Sequence, residues 1–128
     1  EAGLIKIFCK DSDQNLRRLA FNACQLTPLQ RAEKAMNSDY TDIRFLAVED
    51  LAGQLNGRTK SDAEKCVLQM LSKESHRDTL EKLWHLTFQK KIIGTLVQTL
   101  TVLATNPNKT VRSWSRHNIS KELKKKWV

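Results

Sequence analysis

A chain of 128 residues and 14.7 kDa, 40 % apolar with four Gly and two Pro, has the means to bury one core. It holds no run of about 18 apolar residues, so the sequence spells no membrane-spanning helix. Its formal net charge of +8 is lopsided: residues 82–128 carry ten Lys or Arg against one acid, Glu122, whereas the first 81 are close to neutral.

In chain order, Leu4, Ile5, Ile7 and Phe8 predict a short first helix. Asp11 precedes a helix whose apolar stripe is Leu16, Leu19, Ala20 and Cys24. Thr27-Pro28 opens the next, since Thr caps well and Pro suits the first helical position; Leu29, Ala32, Ala35 and Met36 point inward. Ser38 then leads into Ile43, Leu46, Ala47 and Leu51, and Asn56-Gly57 signals a stop through a left-handed glycine. Ser61-Asp62-Ala63-Glu64 reads as a capping box before Cys66, Val67, Met70 and Leu71. Ser75 precedes Leu80, Leu83, Trp84 and Phe88. Ile92, Ile93, Leu96, Val97, Leu100 and Leu103 write the most apolar helix, with Gly94 suited to a close helix approach. Asn106 leads the last, with Val111, Trp114, Ser115 and Ile119 inward. Trp127 seals it against the last hairpin, or stacks on a base beside the lysine run. Cys9, Cys24 and Cys66, odd in number and each on an apolar face, read as buried thiols of a reducing compartment.

Four of these stretches share one pattern. With Leu16, Ile43, Leu80 and Val111 as anchors, residues at +3, +4 and +8 fall on one helix face. A helix-starting polar residue stands five before each anchor: Asp11, Ser38, Ser75 and Asn106. Arg follows the anchor at Arg17, Arg44 and Arg112, replaced by Glu81 in the third copy, and the spacings of 27, 37 and 31 make the repeat irregular. Arg17 and Arg44 are expected to pair with turn carboxylates of neighbouring copies. This layout resembles HEAT and armadillo-type helical repeats in its polar turn, aliphatic-Arg pair and following small residue. The resemblance implies an all-α, HEAT-like stack of about four antiparallel hairpins, as an α-solenoid or a compact right-handed bundle. Residues 1–128 then form a single helical-repeat domain, and an N-terminus without Met or leader pattern reads as a piece of a longer protein.

Residues 92–128 also resemble the N-terminal helical domain of transcription elongation factor S-II. The match lies in Ile93-Gly94-Thr95-Leu96-Val97-Gln98-Thr99-Leu100 and in Lys121-Glu122-Leu123-Lys124-Lys125-Lys126-Trp127. That resemblance implies a transcription role in the nucleus, favoured over the cytoplasm, and binding to short motifs of disordered partners.

Catalysis needs convergent polar groups, and His76, His85 and His117 are scattered. No His-x-x-x-His or Cys-x-x-Cys spacing suits a metal, and no glycine-rich loop suits a phosphate, so no metal or cofactor is expected and the chain reads as a non-enzyme. The basic residues carry the functional reading: Lys90, Lys91, Lys109, Arg112, Arg116, Lys121, Lys124, Lys125 and Lys126, with Trp127 beside them. They fit an acidic or disordered protein segment first, and nucleic-acid phosphates as the alternative. No membrane role is indicated, and the pattern is silent on oligomeric state.

Overall fold

The computed structural model of the chain describes the backbone of residues 1–89 and 104–127, and the side chains of residues 1–86, 104–117 and 120. Those residues form seven helices and, among them, no strand: α1 (Ala2–Lys10), α2 (Gln14–Ala23), α3 (Pro28–Ala35), α4 (Thr41–Gln54), α5 (Lys60–Lys73), α6 (Arg77–Gln89) and α7 (Lys109–Trp127). The apolar helix expected around Gly94, and with it the first motif of the elongation-factor resemblance, lies outside the described residues.

Local chemistry explains several boundaries. Thr27 Oγ1 accepts from the Gln30 N–H at 3.2 Å, and Gln30 Oε1 accepts from the Thr27 N–H at 3.1 Å. With Pro28 at the first helical position, this is a full capping box, one turn later in the chain than α2 ends. The box expected at Ser61–Glu64 does not form. α5 begins at Lys60 behind Thr59, with no side-chain cap, and puts Ser61 inside the helix. There Glu64 faces Lys60 at 3.9 Å, one turn back, so its carboxylate serves a surface pair and not a cap. Nor does Gly57 end α4 by a left-handed turn. The helix stops at Leu55 in a right-handed conformation, and Gly57 keeps out of the positive-φ region.

Each helix packs on the next in the pairs α1–α2, α3–α4 and α5–α6; α1, α3 and α5 also lie side by side, as do α2, α4 and α6. The result is a bundle of two helical layers with α4 at its centre, touching α2, α3, α5 and α6. That position explains why α4 buries Ile43, Ala47, Val48 and Leu51 completely. Phe8 and Phe21 meet edge to face at 5.6 Å under the first pair, and Trp84 meets Trp114 in the same way at 5.6 Å. Arg31 ties the layers together: its guanidinium grips Asp50 of α4 at 2.6 and 2.8 Å and lies 4.2 Å from the centre of the Phe21 ring. The Asp50 hydrogen bond holds the Arg31 pKa above its ordinary value.

Three of the four anchors are buried, Ile43, Leu80 and Val111, and so are all four residues at +4. Leu16 departs from the expectation. It is 48 % exposed, and Leu19 at +3 is 65 % exposed. The cause is position in the stack, since α4 has α2 on one side and α6 on the other, whereas α2 is outermost in its layer. On this outer helix α1 and α4 cover Ala20 and Cys24, and among the described residues no further helix lies over Leu16 and Leu19.

Cys9, Cys24 and Cys66 are all buried and free. Burial pushes the Cys9 and Cys66 thiols above their usual pKa. A higher pKa lowers the thiolate fraction at neutral pH, and burial blocks access, so iodoacetamide should label the folded chain at least about tenfold more slowly than the urea-unfolded chain. Labelling at equal rates by mass spectrometry would contradict the burial of these thiols.

Candidate functional site

The turns before α2, α4 and α7 are built alike. Each begins with a polar side chain that accepts a hydrogen bond from the N–H two residues on: Asp11 from Asp13 at 2.8 Å, Ser38 from Tyr40 at 3.1 Å and Asn106 from Asn108 at 2.9 Å. These residues were expected within about one position of a helix start, and they stand three before it. Asp13 and Asn108 take the capping role instead, each accepting from the N–H groups two and three positions ahead. Ser75 is the exception, because Glu74 supplies the oxygen that receives the Ser75 and His76 N–H groups, both at 3.2 Å.

The turn residues also reach backwards. Ser38 Oγ donates towards the Cys9 carbonyl at the end of α1, at 3.2 Å. Asn106 Nδ2 donates to the carbonyls of Leu71 and Glu74 at the end of α5, at 2.9 and 3.1 Å. Carbonyls left open at a helix end thus find donors in a later turn.

Across these turns lie the arginines that follow the anchors. Arg17 Nη1 donates to the Asp11 carbonyl at 3.1 Å, Arg44 Nη1 to Ser38 at 3.0 Å and Arg112 Nη1 to Asn106 at 2.8 Å. The acceptor is six residues back in all three. The opposite edge of two of these guanidiniums grips a carboxylate further along the chain. Arg17 Nε and Nη2 donate to Asp42 at 3.3 and 3.1 Å; Arg44 Nε and Nη2 donate to the two oxygens of Glu74 at 2.9 and 3.2 Å. Both arginines were expected to pair with turn carboxylates; Arg44 does so at Glu74, just after α5, whereas the partner of Arg17, Asp42, lies within the first turn of α4. Tyr40 adds its ring face 3.8 Å from Arg17. Sequence reasoning did not single out Glu74, whose side chain is only 2 % exposed. Its signal was faint: a lone Glu one residue before the expected cap.

The candidate binding residues are spread along the C-terminal part. Lys109 and Arg116 are exposed near the start of α7, and Arg112 is half-buried between them. Lys121, Lys124, Lys125, Lys126 and Trp127 continue α7, their side chains outside the description, and Lys90 and Lys91 lie outside the described residues. A separate shallow groove of about 480 Å³ crosses α2, α4 and α6, lined by Arg18, Asn22, Asp42, Phe45, Leu46 and His76. Arg18 closes one side by donating to Asp42 at 3.3 Å, and Lys82 stands 5.9 Å from the Phe45 ring.

Among the described residues, no three His, Cys, Asp or Glu side chains are placed to hold a metal ion. Nor is any described helix long and apolar enough to cross a membrane. His76 Nδ1 sits 3.2 Å from Thr79 Oγ1, while His85 and His117 are exposed. No protein-family model matches the chain, and no curated protein or solved structure does.

Proposed function

We propose that the chain is a non-catalytic, HEAT-like helical-repeat module that binds an acidic or disordered protein segment through its basic C-terminal half. The charge partition carries this reading: ten Lys or Arg against Glu122 over residues 82–128, far from the near-neutral remainder. Such a concentration exceeds what solubility asks of a small domain. Support for a repeat comes from the recurring arginine–turn bond at Arg17, Arg44 and Arg112, and from the side-by-side packing of alternate helices. Repeats stacked in this way offer an extended surface to a linear partner, an argument by analogy of architecture. The nuclear assignment rests on the elongation-factor resemblance.

Duplex DNA or RNA is the second reading, because the same lysines can contact phosphates. One titration addresses both. A labelled peptide of alternating Glu, Asp and Leu, a DNA duplex and an RNA are each titrated with the wild type and with a variant carrying Arg116→Gln, Lys124→Gln and Lys125→Gln. Arg112 is left in place because it holds the Asn106 carbonyl. Gln is about as good a helix former as Lys or Arg, so the triple variant should keep its helix content and bind the peptide at least about tenfold more weakly. Peptide affinity unchanged in the variant would overturn the proposal.

A further inference from the structure

The three arginines share an anchor but not a partner. Arg17 and Arg44 each use Nη1 to hold a turn carbonyl, and the Nε–Nη2 edge to hold a carboxylate. Arg112 makes the first bond, at 2.8 Å to Asn106, and among the described residues no carboxylate meets its other edge. Of the side chains outside the description only Glu122 is acidic, and it stands ten residues on from Arg112 along α7, about 15 Å up the helix axis. The geometry points to the Nε–Nη2 edge of Arg112 as a docking point for a carboxylate of the partner, an Asp or Glu side chain gripped by two parallel hydrogen bonds as Glu74 is gripped by Arg44. This rests on the acidic-partner reading and gives it an atomic contact.

Two observations favour that ligand. The guanidinium is half-buried and fixed through Nη1, so its second edge is aimed before anything binds, and a fixed donor pair loses little freedom on binding. In addition, the acceptors used by Arg17 and Arg44 occupy the positions one and six before the next anchor. In the first copy those positions are Asn15 and Lys10, neither of them acidic. A second molecule added end to end therefore brings no carboxylate in register, and an acidic partner does.

The test observes the arginine Nε–H groups by NMR while the alternating Glu, Asp and Leu peptide is added to the intact protein. In the free protein Arg17 and Arg44 Nε–H should exchange slowly with water, and Arg112 Nε–H quickly. Peptide binding should shift and slow the Arg112 signal while leaving the other two in place. Arg112→Lys keeps the charge but loses the planar fork, and should weaken binding about tenfold with the unfolding midpoint checked in urea. Tight peptide binding with an unmoved Arg112 signal, or a Lys variant that binds like wild type, overturns this inference alone. Failure of the wild type to bind the peptide overturns the acidic-partner reading and this contact with it. A response of Arg112 to duplex DNA and not to the peptide transfers the site to phosphate and also contradicts the carboxylate assignment.

Discussion

Arg44→Ala is expected to lower the unfolding free energy by about 3 kcal/mol, at the lower end of what breaking a buried ion pair costs. The substitution leaves the Glu74 carboxylate, 2 % exposed, without its bonds from Nε and Nη2 at 2.9 and 3.2 Å. It also strips the Ser38 carbonyl of a donor at 3.0 Å. Two effects hold the loss near the lower end. The Ser75 and His76 N–H groups still serve Glu74, and a cavity of about 300 Å³ beside it, lined by Met36, Arg44, Met70 and Lys73, can admit water. Glu74→Gln keeps an acceptor for those groups and should cost less, about 1 kcal/mol. Urea unfolding with unchanged slope and a shifted midpoint reads both. A loss below about 0.5 kcal/mol for Arg44→Ala, the size seen at exposed pairs, would show that the pair is not buried in solution.

The second large effect separates two residues that hold the same anchor position of the sequence pattern. Ile43 is fully buried on α4, so Ile43→Ala removes packed carbon and leaves a cavity, at a cost of about 3 kcal/mol within the usual range of 2–5. Leu16 is 48 % exposed on α2, so Leu16→Ala removes only about half as much buried surface, leaves no closed cavity, and should cost about 1 kcal/mol. Equal losses at the two positions would mean that α2 is covered in solution on the side that stands open here. A small loss at Ile43 would remove α4 from the centre of the core.

The contrast between buried Ile43 and exposed Leu16 marks how far a local pattern determines burial. A buried stripe with a period of 3.6 is written locally, and Ile43, Ala47 and Leu51 are found on it as read. Thr27-Pro28 likewise carries its own cap chemistry in four residues. Leu16 and Leu19 spell the same stripe, but their burial depends on whether a neighbouring helix lies alongside, and no residue of α2 encodes that. The turn residues failed by a small displacement. Asp11, Ser38 and Asn106 each bond the N–H two ahead, which an Asx or Ser turn and a helix cap share, so the type of bond was legible and its distance from the helix was not. Ser61-Asp62-Ala63-Glu64 had the composition of a capping box, but α5 starts at Lys60, two residues earlier than a cap at Ser61 requires. For the candidate site, the equivalence of Arg17, Arg44 and Arg112 was visible as a spacing. Which carboxylates they would meet was not, because Asp42 and Glu74 stand at different offsets from their anchors and only packing brings each into reach.

The central claim is that the basic C-terminal half receives a protein segment held by a few carboxylate contacts. Its most direct test is the salt dependence of affinity for the acidic peptide and for duplex DNA, measured on the wild-type chain between 50 and 200 mM salt. A protein ligand held by few ion pairs and apolar anchors should bind more tightly than DNA at 200 mM and lose no more than about tenfold across the range. Binding of DNA in preference to the peptide, with an affinity that falls on the order of a thousandfold as about six phosphate contacts dictate, would contradict the claim and make phosphate the natural ligand of this surface.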